Sequence, residues 1–521
     1  MARGTKIVWY HGLLLYGPWG WDGDAEMTSD VVLPLWLFVL LCGVALLALL
    51  DRLFIPSVRW FIRRRVNRAI DEVSTRLRIS LRPFQLTKRQ VLLDRLVYDT
   101  EVIKAMQAYA EAEGMPREVA QSRVTEYARE IVPAFNAYLY FRFGYWLSKK
   151  FARLLYSVRF GFLDDRRLED VDPESTVVFV MNHRSNMDYF LVSYLVSQQS
   201  TLSYAVGEWA RVWPIQMMLR AMGAFFVRRD SGDALYRKVL ERYVHMATEE
   251  GVCQAVFPEG GLSHDGLPRA PRLGLLDYML RSYGSSSPRD IVFIPVGINY
   301  DRVLEDTNLL HRRTPGAKKR GTWYFIKVTF GFYRESLALS VPERRKRFGY
   351  AGVNFGRPIS VRAFCAEHGI AFNELPRNQR FEHIATLADE LMTSITHIIP
   401  ILPVSLVATV FRRSQGGGMN SIEIKKRVLD LVRECQERGA PIKDSEMPRE
   451  NTIMAAVEVL LYRKVLREGD GWYHCESSAA ELLDFYANSI AHWTHDAVHQ
   501  PSPEEQVRAA EIARALREAS S

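Results

Sequence analysis

Apolar and polar positions follow three regimes along the chain. The first is an unbroken run, VVLPLWLFVLLCGVALLALL from Val31 to Leu50, which carries no charge and matches the roughly 20 residues needed to cross a bilayer. It predicts a transmembrane helix. From 60 to about 165, charged and apolar residues mix at three-to-four spacing, as in TEVIKAMQAYAEAEGM and SRVTEYAREIVPAFNAYLYFRF, and predict helices. From 172 to about 360, short apolar runs alternate with helix-length stretches: TVVFVM, LSYAV, GAFFVRR, GVCQAVFPEG, DIVFIPVGINY and YFIKVTF. Strands separated by helices predict an α/β domain with a mixed, mostly parallel sheet flanked by helices.

Further on, IIPILPVSLVATVF (398–411) is apolar but too short to span a membrane and holds two prolines, so it reads as a core or interfacial helix. The Gly416-Gly417-Gly418 run marks a linker. Two amphipathic helices and a hairpin around Gly469-Asp470-Gly471 then make a small helical, winged-helix-like unit. The expected organisation is an extracytoplasmic N-terminus (1–30), the transmembrane helix (31–50), a basic juxtamembrane and helical subdomain (51–165), a catalytic domain (166–411), the C-terminal unit (419–500) and a tail (501–521).

Charge sets the orientation. Asp22, Asp24, Glu26 and Asp30 precede the apolar run, while Arg52, Arg59, Arg63, Arg64, Arg65 and Arg68 follow it. The positive-inside rule then places the C-terminal side in the cytoplasm, single-pass in the inner membrane, and an acidic flank argues against a cleaved signal peptide. The net charge of +8 favours anionic partners without choosing among lipid, phosphorylated metabolite and nucleic acid. Five scattered cysteines show no zinc spacing and no disulfide frame. His492, His495 and His499 share a helical face but lack a thiolate or carboxylate at matching spacing, so no metal is expected.

Candidate chemistry gathers at strand ends, where open α/β sheets place ligands. VMNHRSNMDYF (180–190) puts His183 just past an apolar strand and Asp188 five residues later. Five residues turn through about 140° on an ideal helix, so the two meet only across a bend. Two readings stand side by side: a general base with its acid partner, or a helix capping box, Ser185-x-x-Asp188. Arg228 and Arg229 end the GAFFVRR strand, and their planar forks suit a phosphate. In Phe257-Pro258-Glu259-Gly260-Gly261, the glycines allow close backbone approach to a ligand, with Glu259 aimed at it. Pro295 falls late in the next strand and is expected at a sheet edge or strand end.

The order and spacing of these blocks resemble the glycerolipid acyltransferases, in particular the bacterial glycerol-3-phosphate and dihydroxyacetone-phosphate branch. The H-x4-D block is NHRSNMD, followed by GAFFVRR, FPEGGLSHDG and VFIPVGINYDRVLE, and Val353-Asn354-Phe355-Gly356-Arg357-Pro358-Ile359 is similar to a later family strand. The resemblance implies that His183 is the base and Asp188 its orienting partner, that Arg228, Arg229 and Glu259 hold the acceptor's phosphate beside Gly260 and Gly261, and that Arg272 stands where the family has a lysine. It departs at Leu262 and His264, where arginines are usual, which bears on the acceptor. The implied activity is transfer of a fatty acyl group from acyl-CoA or acyl carrier protein to the sn-1 hydroxyl of glycerol-3-phosphate, with no cofactor and with membrane lipid as surroundings. The nearer alternative is lysophosphatidate or another lysophospholipid as acceptor. The distant one is a membrane-tethered nucleic-acid-binding regulator, against which Glu423, Asp430 and Glu434 interrupt the basic stretch of the C-terminal unit.

Overall fold

The computed structural model describes residues 87–136, 154–162, 171–196, 202–207, 215–228, 231–311, 347–442 and 448–496, with isolated positions between them. The predicted transmembrane run 31–50 and the tail after 501 lie outside these residues. Among the described residues, no helix is long and apolar enough to cross a membrane.

A mixed sheet organises residues 157–360. Its strands are β1 (Ser157–Phe162), β2 (Thr176–Met181), β3 (Ser203–Val206), β4 (Ala224–Phe226), β5 (Gln254–Val256), β6 (Ile291–Tyr300), β7 (Tyr350–Phe355) and β8 (Ile359–Ser360), in the order β1-β7-β6-β2-β5-β3-β4, with β8 also on β6. From β6 to β4 every neighbour is parallel, whereas β7 and β8 run antiparallel to β6. The helical reading of 60–165 needs one correction: β1 lies inside it and pairs along its length with β7. SVRFGF is half-polar and sits at an edge, so its period is weak in the sequence. The YFIKVTF run at 324–330 lies outside the described residues except Lys327, which is helical.

Both faces of the sheet are covered, which explains the near-continuous apolar strands. In β2, Val177, Phe179 and Met181 enter one core while Val178 and Val180 enter the other. On the second face lie α1 (Arg89–Val97), α2 (Thr100–Ala112), α3 (Arg117–Ile131), α6 (Ala234–Glu249), α7 (Gly274–Leu280), α9 (Val361–His368) and α10 (Arg377–His397). The first face takes α4 (Asp188–Val196), α5 (Ile215–Ala221), α8 (Asp306–His311) and α11 (Pro403–Arg413). The 398–411 segment thus supplies a core helix: Pro403 opens α11, where a missing N–H costs nothing, and the residues from Pro403 to Phe411 are buried.

Pro295 also needs correcting, because it sits in the middle of β6, a central strand, opposite Val180. On its other side β8 pairs with β6 at Val292 and Phe293, and β7 starts at Val296. The proline therefore falls in the gap between two short partners, where no ladder bond needs its N–H.

Around α11 pack α12 (Ser421–Glu437), α13 (Glu450–Tyr462) and α14 (Ala480–Asn488), with a small antiparallel sheet of β9 (Met419–Asn420), β10 (Leu466–Gly469) and β11 (Trp472–Cys475) and a last turn, α15 (Ala491–Thr494). The hairpin turns at Asp470 and Gly471, both at positive φ, as a two-residue turn demands. The C-terminal helices share one continuous core with the sheet, so the unit expected at 419–500 is built onto the sheet region. α15 ends at Thr494 and His495 adopts a left-handed conformation, which breaks the proposed histidine face; His499 lies outside the described residues. Among the described residues no His, Cys, Asp or Glu group could hold a metal ion, and Cys253, Cys365, Cys435 and Cys475 form no disulfide.

Candidate active site

The site grows from the end of β2. Beyond Met181 the backbone leaves the sheet, and the side chain of Asn182 takes over its pairing with β6: Nδ2 donates to Ile298 O at 2.9 Å and Oδ1 accepts from Ile298 N at 2.7 Å. This fixes where the following bend starts. His183 is 2% exposed, stacked on Phe257 at 4.1 Å between ring centroids and edge-on to Tyr189 at 5.5 Å.

Asp188 meets His183 across the bend. Its Oδ2 accepts from His183 Nδ1 at 2.9 Å, from Arg184 N at 2.7 Å and from Ser185 N at 3.0 Å, and its Oδ1 accepts from Tyr300 Oη at 2.7 Å. One carboxylate thus makes the contacts that both readings require: it caps the loop that opens α4 while gripping the imidazole. A carboxylate only accepts, so Nδ1 carries the proton and Nε2 keeps its lone pair.

Two further buried acids hold the loop. Glu259 Oε1 accepts from His183 N at 2.8 Å and its Oε2 from Arg269 N at 2.9 Å. Glu305 Oε2 accepts from Ser185 Oγ at 2.7 Å, and its Oε1 takes the backbone and side-chain nitrogens of Asn186, each at 3.1 Å. Burial pushes both carboxyls up to about 7, against the pull of these donors. Arg184, also buried, donates to Gly266 O at 2.5 Å, and loss of solvent lowers its pKa.

His183 opens onto a cavity of about 310 Å³ walled mainly by apolar side chains, among them Val206, Val227, Leu240, Val256 and Leu275, with Arg228, Arg237 and Arg272 in its lining. The predicted residues divide at this cavity. Gly260 lines it at a φ of +67°, and a Cβ there would lie 2.6 Å from Arg272 Cδ, so the glycine makes room for that arginine. Gly261 is buried behind it. Arg228 lines the cavity with its Nε and Nη2 on Glu130 at 2.9 and 2.5 Å and its guanidinium near the Tyr127 and Tyr236 rings. Arg229 lies outside the described residues. Glu259 does not line the cavity; its carboxylate is spent on the two backbone amides. Sequence reading passed over Tyr300, Glu305, Arg184 and Arg237. Tyr300 and Glu305 stand within the VFIPVGINYDRVLE block, and polar residues at the end of a ten-residue apolar strand are the signal that points to them.

The geometry is an H-x4-D histidine–carboxylate pair at the end of a strand in a mostly parallel α/β sheet. Residues 163–299 match the Acyltransferase family model, and 336–497 match that of the glycerol-3-phosphate acyltransferase C-terminal region. The curated proteins this chain resembles are named glycerol-3-phosphate acyltransferase. The protein of that name from Pseudomonas entomophila (strain L48) is 29% identical over 78% of this chain and 49% of its own length, and that from Pseudomonas paraeruginosa (strain DSM 24068 / PA7) is 29% identical over 82% and 51%. The chain thus spans about half the length of the curated relatives it matches. Among solved structures, the 1-acyl-sn-glycerophosphate (LPA) acyltransferase PlsC from Thermotoga maritima covers 58% of this chain and 97% of its own at 16% identity, with a TM-score of 0.27.

Proposed function

We propose that this chain transfers a fatty acyl group from a thioester, acyl-CoA or acyl carrier protein, to the sn-1 hydroxyl of glycerol-3-phosphate. The observation that carries the reading is the buried His183–Asp188 pair, with Nδ1 committed to the carboxylate, beside a cavity that joins apolar walls to three arginines. An acyl chain and an anionic acceptor together need that mixture.

His183 Nε2 takes the proton of the acceptor hydroxyl as its oxygen attacks the thioester carbonyl. The tetrahedral intermediate then collapses: the C–O ester bond stays, the C–S bond breaks, and the departing thiolate receives the proton from the imidazolium. Asp188 holds the ring in the reactive tautomer and stabilises its cation, and no acyl-enzyme is needed because the bound hydroxyl is the nucleophile. Arg272 and Arg237 are the cavity cations proposed to hold the phosphate; Arg228 joins them through the donors that Glu130 leaves unused. The run 31–50 would anchor the enzyme in the inner membrane with this site on the cytoplasmic side, next to an amphiphilic product. The C-terminal unit serves the site and not nucleic acid, a reading supported by the pairing of Lys425 with Glu450, Arg427 with Glu423 and Arg433 with Asp430, which breaks up any basic stripe.

Offering purified protein glycerol-3-phosphate, dihydroxyacetone phosphate and lysophosphatidate separately, with each donor type, tests this. Product from glycerol-3-phosphate is expected, and product from lysophosphatidate alone would move the protein to the second acylation.

A further inference from the structure

Three separate segments build the site: the 182–188 loop with the dyad, the 257–272 loop that follows β5, and the 299–306 segment at the end of β6. Each is gripped from behind by one short stretch of the C-terminal unit, Phe485 to Ser489, whose residues are all 1% exposed or less. The Phe485 ring lies 5.0 Å from the Arg184 guanidinium, which itself bonds Gly266 O. Asn488 Nδ2 donates to Asp265 O at 2.9 Å. Tyr486 Oη accepts from Val303 N at 3.2 Å and donates to Asp306 Oδ2 at 2.5 Å, while Ser489 Oγ accepts from Asn299 Nδ2 at 3.2 Å. The fit leaves no slack, since a Cβ on Gly266 would stand 2.0 Å from Phe485 O.

We propose that Phe485, Tyr486, Asn488 and Ser489 are positioning residues for acyl transfer, through which the C-terminal unit holds the catalytic loops in register. The inference rests on the acyl-transfer reading. The 257–272 loop has no regular secondary structure, and ordering such chain costs about 1–2 kcal/mol per residue, so it needs ties of this kind. Its Ser263 N donates to His183 O at 3.0 Å, and its Glu259 holds His183 N. Displacement of α14 therefore passes to the histidine through two bonds. The reacting groups themselves do not touch α14, so loosening it should slow chemistry while leaving binding of the acyl donor alone.

The test compares the full-length chain with Asn488→Ala and Tyr486→Phe, and with Glu481→Ala on the exposed face of the same helix. Hydrogen exchange is followed over 258–272 and 299–306, together with steady-state kinetics. Asn488→Ala is expected to speed exchange of 258–272 at least tenfold and to lower kcat at least fivefold with the donor KM within twofold; Tyr486→Phe does the same for 299–306, and Glu481→Ala does neither. A kcat within twofold of wild type despite faster exchange would overturn the positioning role. Unchanged exchange would overturn the tether itself. If Asn488→Ala does not fold, Tyr486→Phe, which removes a single oxygen, carries the test. Absence of turnover in the wild type with every donor and acceptor would instead count against the acyl-transfer reading, and exchange would still decide the tether.

Discussion

Glu259→Gln separates what the buried carboxyl does for stability from what it does for the site. Both carboxylate oxygens accept backbone N–H groups, from His183 and Arg269. A carboxamide accepts with one oxygen only and turns its own N–H₂ toward the other amide, which leaves a buried donor unsatisfied at a cost of about 1–3 kcal/mol. Opposed to this is the ionisation cost in the wild type, where burial raises the carboxyl to about 7. A rise from 4.5 to about 7 corresponds to roughly 3 kcal/mol. With the folded pKa above the unfolded one, the native state binds the extra proton between these values, so stability falls as pH rises through that window and levels off above it. Glutamine has no such dependence at this site. Unfolding of both proteins from pH 5 to 8 should therefore show the Gln variant less stable at pH 5 and gaining on the wild type, by up to about 3 kcal/mol, as pH rises. Glu305, which is raised to about 7 as well, titrates in both proteins and cancels in the difference. A stability difference that stays constant across the range would refute the buried-carboxyl account.

Other consequences follow from the same contacts. Tyr300→Phe removes one of four donors to Asp188 and loosens the carboxylate that must steady the His183 cation as it forms in the transition state, so kcat should fall about three- to tenfold with little change in KM, as read by steady-state kinetics. Gly266→Ala drives a methyl group into Phe485 O at a φ of +90° and should cost more than about 3 kcal/mol, seen as loss of folded protein on expression or a collapse of the thermal midpoint. Arg272→Ala should raise the KM for glycerol-3-phosphate at least tenfold while leaving the acyl donor's within twofold; equal effects on both would place the phosphate elsewhere.

Much of the fold can be read from period and run length, because strands buried on both faces are written as unbroken apolar stretches. β2 and β6 stand out for that reason, and the Pro403 helix for its length. β1 is hidden because an edge strand with Ser157 and Arg159 lacks the run, and Pro295 misleads because the gap between β8 and β7 is a property of register that no local window contains. His183 and Asp188 are visible through their spacing at a strand end. Glu259 is visible as a residue but not in its role, since only the folded loop shows its two oxygens facing amides instead of the cavity. Arg228 has its Glu130 partner nearly a hundred residues away, and the grip of Phe485 to Ser489 joins parts of the chain still further apart. Such long-range polar contacts leave no periodic trace in the sequence.

The proposed function stands or falls with His183 as the general base for acyl transfer to glycerol-3-phosphate. The most direct measurement is turnover of glycerol-3-phosphate and an acyl thioester by wild type and His183→Ala at equal amounts of folded protein. General-base help is worth about 10² to 10⁴-fold, so the variant should fall by at least that lower figure. Near-normal turnover in His183→Ala would contradict the account.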